Sequence, residues 1–101
     1  MNELDTELLK IIGYFGLNNQ QRKLQEEIFE LQESIYEMEN STINDYEDKL
    51  GHFIEELSDV IVLLRQLQLE FGVSNEEIIS EMKKKTSRTI DRMHEGYYKK
   101  G

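Results

Sequence analysis

The chain contains no proline, and its apolar residues recur three or four positions apart along most of its length. That spacing places apolar side chains on one face of an α-helix, and no residue of the chain forbids the helical backbone outright. The expected interruptions fall at glycines and at short polar clusters. The pattern therefore predicts an all-α fold of four helices, and a length of 101 residues predicts a single domain over residues 1–101.

The first two helices are delimited by a glycine and by asparagines. The first is predicted over about Glu3–Tyr14, with Gly16 as its C-terminal cap. The second begins after Asn18 or Asn19, either of which can cap it, and ends near Asn40. Its apolar residues form a narrow packing seam with steps of four, three, four and three: Leu24, Ile28, Leu31, Ile35 and Met38.

The third helix is the most apolar of the four and is predicted over about Asp45–Phe71. Its apolar residues cover much of its circumference, so it lies at the centre of a bundle or forms a subunit interface. Gly51 lies inside the pattern and marks a place where a break or kink would fit. The fourth helix follows a capping box at Ser74–Glu77 and runs to about Glu95. Residues 97–101 are expected to fray.

Composition excludes several classes of function. A net charge of −9 makes nucleic acid and anionic membrane surfaces repulsive overall, so we expect neither as a partner. The absence of cysteine rules out disulfide scaffolds, cysteine zinc sites and thiol catalysis. No apolar run of about 18 residues is present to span a membrane, and the acidic first ten residues do not form a signal peptide. A cytoplasmic location is therefore expected.

Two pairs of acidic residues lie at helical spacing on consecutive helices. Glu27 and Glu30 are three positions apart on the second helix, as are Glu56 and Asp59 on the third. Side chains at this spacing point the same way, so antiparallel packing of the two helices would let the pairs face each other. Four carboxylates around one gap make an oxygen-rich site for a hard cation. Mg²⁺ fits such a site better than Zn²⁺ or a di-iron centre.

The surroundings of these acids help to decide whether they form a metal site or an ordinary solvent-exposed helix face. One such pair alone is typical of solvated helix surface, because Glu is a good helix former. Glu27 and Glu30 flank the apolar seam of the second helix, whereas Glu56 lies within an apolar face and needs a partner there. His52, four residues before Glu56, could reach the same face, although a surface or structural histidine is the favoured interpretation.

A basic stripe runs along the fourth helix through Lys85, Arg88 and Arg92. Beside a Mg²⁺ site it would hold phosphate oxygens, which Arg binds through two hydrogen bonds and Lys through a point charge. The alternative is that basic residues late in a helix offset its dipole and pair with nearby Glu residues. We favour that alternative for Lys83 and Lys84, and phosphate contact for the stripe.

The two acidic runs resemble the motif of the MazG-like nucleotide pyrophosphohydrolases. Residues 23–31 read KLQEEIFEL, and residues 52–60 read HFIEELSDV, followed by LLRQL at residues 63–67. The family pattern is a double Glu, two residues and a Glu, then after a variable gap a Glu, two residues and an Asp. The resemblance covers roughly residues 18–96. Five acids of this chain match the pattern: Glu26, Glu27, Glu30, Glu56 and Asp59.

The resemblance implies a four-helix MazG-like bundle with a core over about residues 18–96, assembled as a homodimer or homotetramer. It implies hydrolysis of a nucleoside triphosphate at the α–β anhydride to a monophosphate and pyrophosphate. By similarity, Mg²⁺, with Mn²⁺ as a substitute, would be held by Glu27, Glu30, Glu56 and Asp59. The attacking water would be positioned or deprotonated by Glu26, with Glu27 beside it. Lys85 and Arg88 match the family's late basic positions loosely.

Two alternatives to an active enzyme stay open. A small acidic interaction or regulatory protein would use the apolar third helix to bind a partner. A relative that binds nucleotides without turning them over would keep the fold and lose the chemistry, although the intact acids argue against it. The double acidic motif favours the enzyme, and the motif does not define the base of the substrate.

Overall fold

The protein is all helical in the part of the chain that its computed structural model describes, residues 1–96. Four helices account for most of these residues: α1 is Glu3–Phe15, α2 is Leu17–Glu39, α3 is Tyr46–Glu70 and α4 is Asn75–His94. No strand occurs among residues 1–96, so the all-α, four-helix expectation is confirmed. The expected frayed tail at 97–101 lies outside the described residues. Within the described range, no helix is long and apolar enough to cross a membrane.

The chain divides into two compact units. The first, Met1–Phe71, contains α1, α2 and α3, and the second, Gly72–Gly101, contains α4. Within the first unit, each of the three helices packs on the other two. Within the second, α4 is amphipathic and has no buried residue. The expectation of a single domain over residues 1–101 stays a prediction.

The apolar core of the first unit is small. Among the described residues, its fully buried apolar side chains are Leu8 and Ile12 on α1 and Val60 and Leu63 on α3. Each pair is three or four positions apart, which places both members on one helix face. No apolar side chain of α2 is fully buried. A core this limited leaves apolar surface on all three helices for other contacts.

The buried line of α2 is polar. It consists of Gln20, Glu27 and Ser34, which are seven positions apart and therefore lie along one side of the helix. Ile28 and Ile35 of the predicted seam are 40% and 41% exposed. The expectation that Glu27 merely flanks the packed face is therefore wrong, because Glu27 lies at its centre. The apolar seam alone misplaces this face because it leaves out buried polar groups, of which Gln20 bonds to Gln66 on α3 and Ser34 bonds back to Leu31 on α2.

Polar contacts also fix the relative direction of α2 and α3. Near the start of α2, Gln20 Nε2 donates to Gln66 Oε1, near the end of α3, over 2.8 Å. Near the end of α2, Glu37 Oε2 lies 3.1 Å from Nδ1 of His52, which belongs to the first half of α3. The two helices therefore run antiparallel, which is the packing that brings the two acidic motifs to the same level.

A two-point ion pair ties α1 to α3. Arg65 Nε donates to Asp5 Oδ1 over 3.0 Å, and Arg65 Nη2 donates to Asp5 Oδ2 over 2.7 Å. The hydrogen bonds from Arg65 lower the pKa of Asp5, and the same contact raises the pKa of Arg65. Asp5 is buried on the same face as Leu8 and Ile12, three and seven positions on. An acid on an apolar helix face is a sequence signal for such a partner.

One glycine joins the first two helices. Gly16 ends α1 and immediately precedes Leu17, the first residue of α2, with a φ of 87°. Since α2 has already begun at Leu17, the expectation that Asn18 or Asn19 caps it is wrong. Asn19 Nδ2 instead donates back to the carbonyl oxygen of Phe15 over 2.7 Å. The corner between the two helices is therefore a single residue long.

The ends of the other helices follow the sequence more closely. The capping box is confirmed, with Ser74 Oγ accepting from the Glu77 amide and Glu77 Oε1 accepting from the Ser74 amide, both over 3.1 Å. Gly72, with a φ of 68°, follows the end of α3, which agrees with the expected end near Phe71. Gly51 lies within the continuous helix α3, and no break occurs there.

Candidate metal centre

Three carboxylates from two helices converge in the first unit. Glu27 and Glu30 are supplied by adjacent turns of α2, and Glu56 is supplied by α3. One oxygen from each of the three lies within 4.8 Å of the others. Antiparallel packing of α2 and α3 makes this meeting possible. The structure thus brings together three of the four carboxylates that the sequence suggests as metal ligands.

Two oxygens of this cluster are buried and have no hydrogen-bond partner among the described residues, Glu27 Oε2 and Glu56 Oε2. The side chain of Glu27 is 8% exposed and that of Glu56 is 13% exposed. An ionised carboxylate held out of water costs several kcal/mol unless a donor or a cation compensates it. The two oxygens therefore call for a positively charged partner.

The pKa of Glu27 reflects the same environment. Burial raises the pKa of Glu27, and the neighbouring carboxylates of Glu30 and Asp59 raise it further. Lys23 opposes these effects, with Nζ lying 3.3 Å from Glu27 Oε1. Lys23 reaches this oxygen from the surface, since its own side chain is 56% exposed. A cation in the cluster would therefore supply the positive charge that Lys23 provides only in part.

The donor set fits a hard divalent cation. All three converging groups are carboxylates, and Mg²⁺ and Mn²⁺ prefer such oxygen ligands. Glu27 is buried, Glu56 is half-buried and Glu30 is exposed, so the cluster opens to solvent on one side. That opening suits Mg²⁺, which keeps several of its waters when a protein binds it.

The two remaining acids of the motif lie outside the trio. Asp59 is exposed and lines the same pocket as Glu27, and its charge contributes to the raised pKa of Glu27. Asp59 therefore lies near the cluster without being among the oxygens that converge within 4.8 Å. Glu26 is exposed on α2 and is also outside the converging group.

Comparisons of the chain with family models, curated proteins and solved structures find no match. The chemistry of the site must therefore follow from its residues and their geometry.

A pocket of about 500 Å³ opens beside the acids, between α1, α2 and α3. Its walls combine apolar and polar side chains, and both Glu27 and Asp59 belong to its lining. The other lining residues are Ile11, Phe15, Asn19, Gln20, Lys23, Val62, Leu63 and Gln66. A volume of this size holds a small organic molecule, and a few polar groups among apolar walls are typical of ligand sites.

Two amide side chains that line this pocket are not part of the acidic sequence motif. Gln20 and Gln66 are 7% and 1% exposed and are joined by the 2.8 Å hydrogen bond between α2 and α3. The signal for Gln66 is its spacing from Val60 and Leu63, which puts an amide in line with the buried apolar face of α3. Each amide carries more donors and acceptors than this one bond uses.

His52 lies at the edge of the carboxylate cluster. Its Nδ1 is 3.1 Å from Glu37 Oε2, and its Nε2 is 3.3 Å from Glu56 Oε1. The hydrogen bond with Glu37 raises the pKa of His52 against the opposing effect of burial, and the charges of Glu37, Glu56 and Glu55 add to the increase. His52 itself is not among the converging groups, and its expected role as a surface or structural histidine stays a prediction.

The basic residues that the sequence suggests as phosphate contacts lie on α4. Lys85 and Arg88 are exposed and Arg92 is half-buried. Lys84 Nζ pairs with Glu81 Oε1 at 3.3 Å, which is the helix-surface pairing expected for that lysine. Phosphate contact by the stripe stays a prediction.

Proposed function

We propose that the protein is a Mg²⁺-dependent pyrophosphohydrolase that converts a nucleoside triphosphate to a monophosphate and pyrophosphate. The observation that carries the proposal is the pair of buried, unpartnered carboxylate oxygens of Glu27 and Glu56. Glu30 completes their cluster. Such a cluster needs a cation, and the acidic motif that supplies it resembles the motif of the MazG-like pyrophosphohydrolases.

Glu27, Glu30 and Glu56 are the proposed cation ligands, with Asp59 as a fourth from the lining of the pocket. When bound, Mg²⁺ neutralises the charge of the triphosphate and lowers the pKa of a coordinated water. Glu26 is proposed to orient the water that attacks the phosphorus of the α–β anhydride and to accept its proton. Glu27 belongs to both the cluster and the pocket wall, so a cation held by Glu27 would bind the reacting phosphate beside the pocket.

The pocket supports a nucleotide over a simple polyphosphate. A nucleobase presents two apolar ring faces and a polar edge that both donates and accepts hydrogen bonds. Phe15 and Val62 supply apolar wall, and Gln20 and Gln66 supply amides with both kinds of group. The nucleoside is therefore proposed to occupy this pocket, with its phosphates directed toward Glu27.

Lys85, Arg88 and Arg92 are proposed to bind phosphate oxygens that the cation leaves uncovered. The support is chemical: they form a basic stripe on one helix of a chain whose net charge is −9. In a hydrolysis that releases pyrophosphate, cationic side chains stabilise the charge that gathers on the leaving group.

We expect the protein to form a homodimer or homotetramer at micromolar concentration. Ile54, Ile61 and Leu64 of α3 are 54%, 54% and 48% exposed, although the sequence predicts burial of this helix on more than one side. A second copy of the chain that covers these side chains would reconcile their exposure with the predicted burial. Light scattering measures the mass directly, and Ile61→Lys should shift it toward the monomer. A wild-type chain that is monomeric at this concentration contradicts the expectation.

The test of the proposed function is release of pyrophosphate. We expect turnover of at least one nucleoside triphosphate in a panel of ribo-, deoxy- and modified forms, with Mg²⁺ required and an excess of chelator abolishing it. A coupled pyrophosphate assay detects the product, and chromatography identifies the monophosphate. The proposal fails if the whole panel gives neither turnover nor Mg²⁺-dependent binding.

That negative outcome would favour the second candidate, an acidic helical interaction protein. The exposed apolar stripe Ile54, Ile61 and Leu64 is the observation that supports it. The two candidates differ in their need for metal, because a partner held through apolar side chains should bind equally well with chelator present.

A further inference from the structure

His52 joins a proposed metal ligand to a carboxylate outside the cluster. Both ring nitrogens are engaged, Nδ1 by Glu37 Oε2 at 3.1 Å and Nε2 by Glu56 Oε1 at 3.3 Å. These two nitrogens lie on different sides of the imidazole, so the two contacts together fix both the position and the rotation of the ring. The chain of groups runs from α2, through a histidine of α3, to Glu56 on the next turn of α3.

We propose that His52 is a positioning residue that orients the Glu56 carboxylate toward the cation, and that Glu37 holds His52 in place for this task. The inference rests on the proposed function, because it assigns His52 a role toward the same cation. His52 engages Oε1 of Glu56, and the other oxygen, Oε2, is the one that is buried without a partner. The contact thus separates the two otherwise equivalent oxygens into one held by the protein and one left for the metal.

The physical reason is rotational freedom. The two oxygens of a carboxylate exchange places by rotation of the group, and a ligand that must be ordered on binding loses affinity. An ion-pair contact with one oxygen, such as the 3.3 Å contact of His52 Nε2 with Glu56 Oε1, restricts that freedom in advance. Partners of this kind around metal ligands typically change metal affinity or activity by about 10- to 100-fold when they are removed.

A purely structural role is the competing explanation, and the chain offers a matched control for it. Lys49 lies three residues before His52 on α3, and its Nζ pairs with the same Glu37 oxygen at 3.8 Å. Lys49 therefore takes part in the same link between α2 and α3, yet it makes no ion pair with Glu56 in the described part of the chain. Replacing Lys49 by Met disturbs the link without disturbing Glu56.

The test is a titration of the chain of residues 1–101 with MgCl₂ alone, monitored by amide NMR. We expect His52→Ala to weaken Mg²⁺ binding by about 10- to 100-fold, and Lys49→Met to leave it within about twofold. His52→Gln should recover much of the affinity, because its amide nitrogen reaches about as far as Nε2. His52→Asn should not, because its amide reaches only as far as Nδ1 and so can contact Glu37 alone. Circular dichroism checks that each variant keeps its helices.

The outcomes separate the inference from the proposed function. If the wild type binds no Mg²⁺, the proposed function fails and the inference fails with it. If the wild type binds Mg²⁺ and His52→Ala binds it equally well, the inference alone is overturned. Recovery by Asn as good as recovery by Gln, or an equal loss in Lys49→Met, would also overturn it by showing that only the link between the helices matters.

Discussion

Replacing Glu27 by glutamine is expected to raise the melting temperature of the metal-free protein and, at the same time, to abolish pyrophosphohydrolase activity. Glu27 is the most buried acid of the cluster, and its Oε2 has no hydrogen-bond partner among the described residues. A neutral amide of the same shape removes the cost of burying that charge. The loss of the ion pair to Lys23 offsets only part of the gain, because pairs with one exposed partner contribute about 0–1 kcal/mol.

The net gain in the free energy of unfolding should be on the order of 1 kcal/mol, which for a domain of this size is roughly 4–8 °C in melting temperature. Burial raises the pKa of Glu27 above its ordinary value of 4.5. The stability that protonation of Glu27 contributes to the folded state is therefore present in full below pH 4.5. It is lost as pH rises through the raised pKa. The advantage of the glutamine variant should accordingly grow as pH increases.

Thermal melts followed by circular dichroism, in chelator and at several pH values, measure this difference. Glu33→Gln is the matched control, since Glu33 is exposed on the same helix. With Mg²⁺ added, the difference in melting temperature between the variant and the wild type should narrow or reverse, because the wild type gains stability from binding and the variant does not. A Glu27→Gln protein that melts below the wild type in chelator at neutral pH would show that Glu27 is already compensated without a metal.

The second large effect is expected for Glu56→Gln, which should lower kcat/KM by at least about 100-fold, the equivalent of roughly 2.7 kcal/mol of transition-state stabilisation. The amide still offers an acceptor to His52, so helicity and assembly should be unchanged. What it removes is the negative charge on the buried oxygen that has no partner. Pyrophosphate release at saturating Mg²⁺ measures the loss.

Glu55→Gln is the control for this variant. Glu55 neighbours Glu56 in sequence and is exposed, and it is not among the converging carboxylates. It should retain wild-type turnover and the stabilisation that Mg²⁺ gives, whereas Glu56→Gln should lose both. Stabilisation by Mg²⁺ at 100 times its dissociation constant amounts to about 2.7 kcal/mol, which a melt resolves easily. Activity retained in Glu56→Gln would remove Glu56 from the site.

Helix spacing and motif recognition predicted the four helices and the acids that meet between two of them. Glu27, Glu30 and Glu56 could be placed because residues on adjacent turns share a direction and antiparallel helices bring two such pairs to one level. The buried face of α2 differs from the one that its apolar residues predict. A count of apolar residues points to Ile28 and Ile35 and gives no weight to a buried line of polar residues.

Pairings across the bundle could not be predicted in the same way. Asp5 and Arg65 are 60 residues apart, and Gln20 and Gln66 are 46 apart. Whether such side chains meet depends on how far each helix is rotated and shifted along its neighbour, and those quantities are set by the whole packed unit. An acid or amide on an apolar face indicates that a polar partner is needed, but the sequence does not identify the residue that pairs with it.

The single-residue corner at Gly16 has a consequence for selectivity. Residues on either side of it, Phe15 and Asn19 among them, line one pocket. No heavy atom lies within 4 Å of where a Cβ on Gly16 would stand, so the requirement for glycine comes from its φ of 87° and not from crowding. With no loop between the two helices to lengthen or relax, the relative direction of the α1 and α2 walls of the pocket depends on the backbone torsions of Gly16. A substitution at Gly16 that changed its torsions would therefore move Phe15 relative to Asn19, and we expect it to change which molecules the pocket accepts.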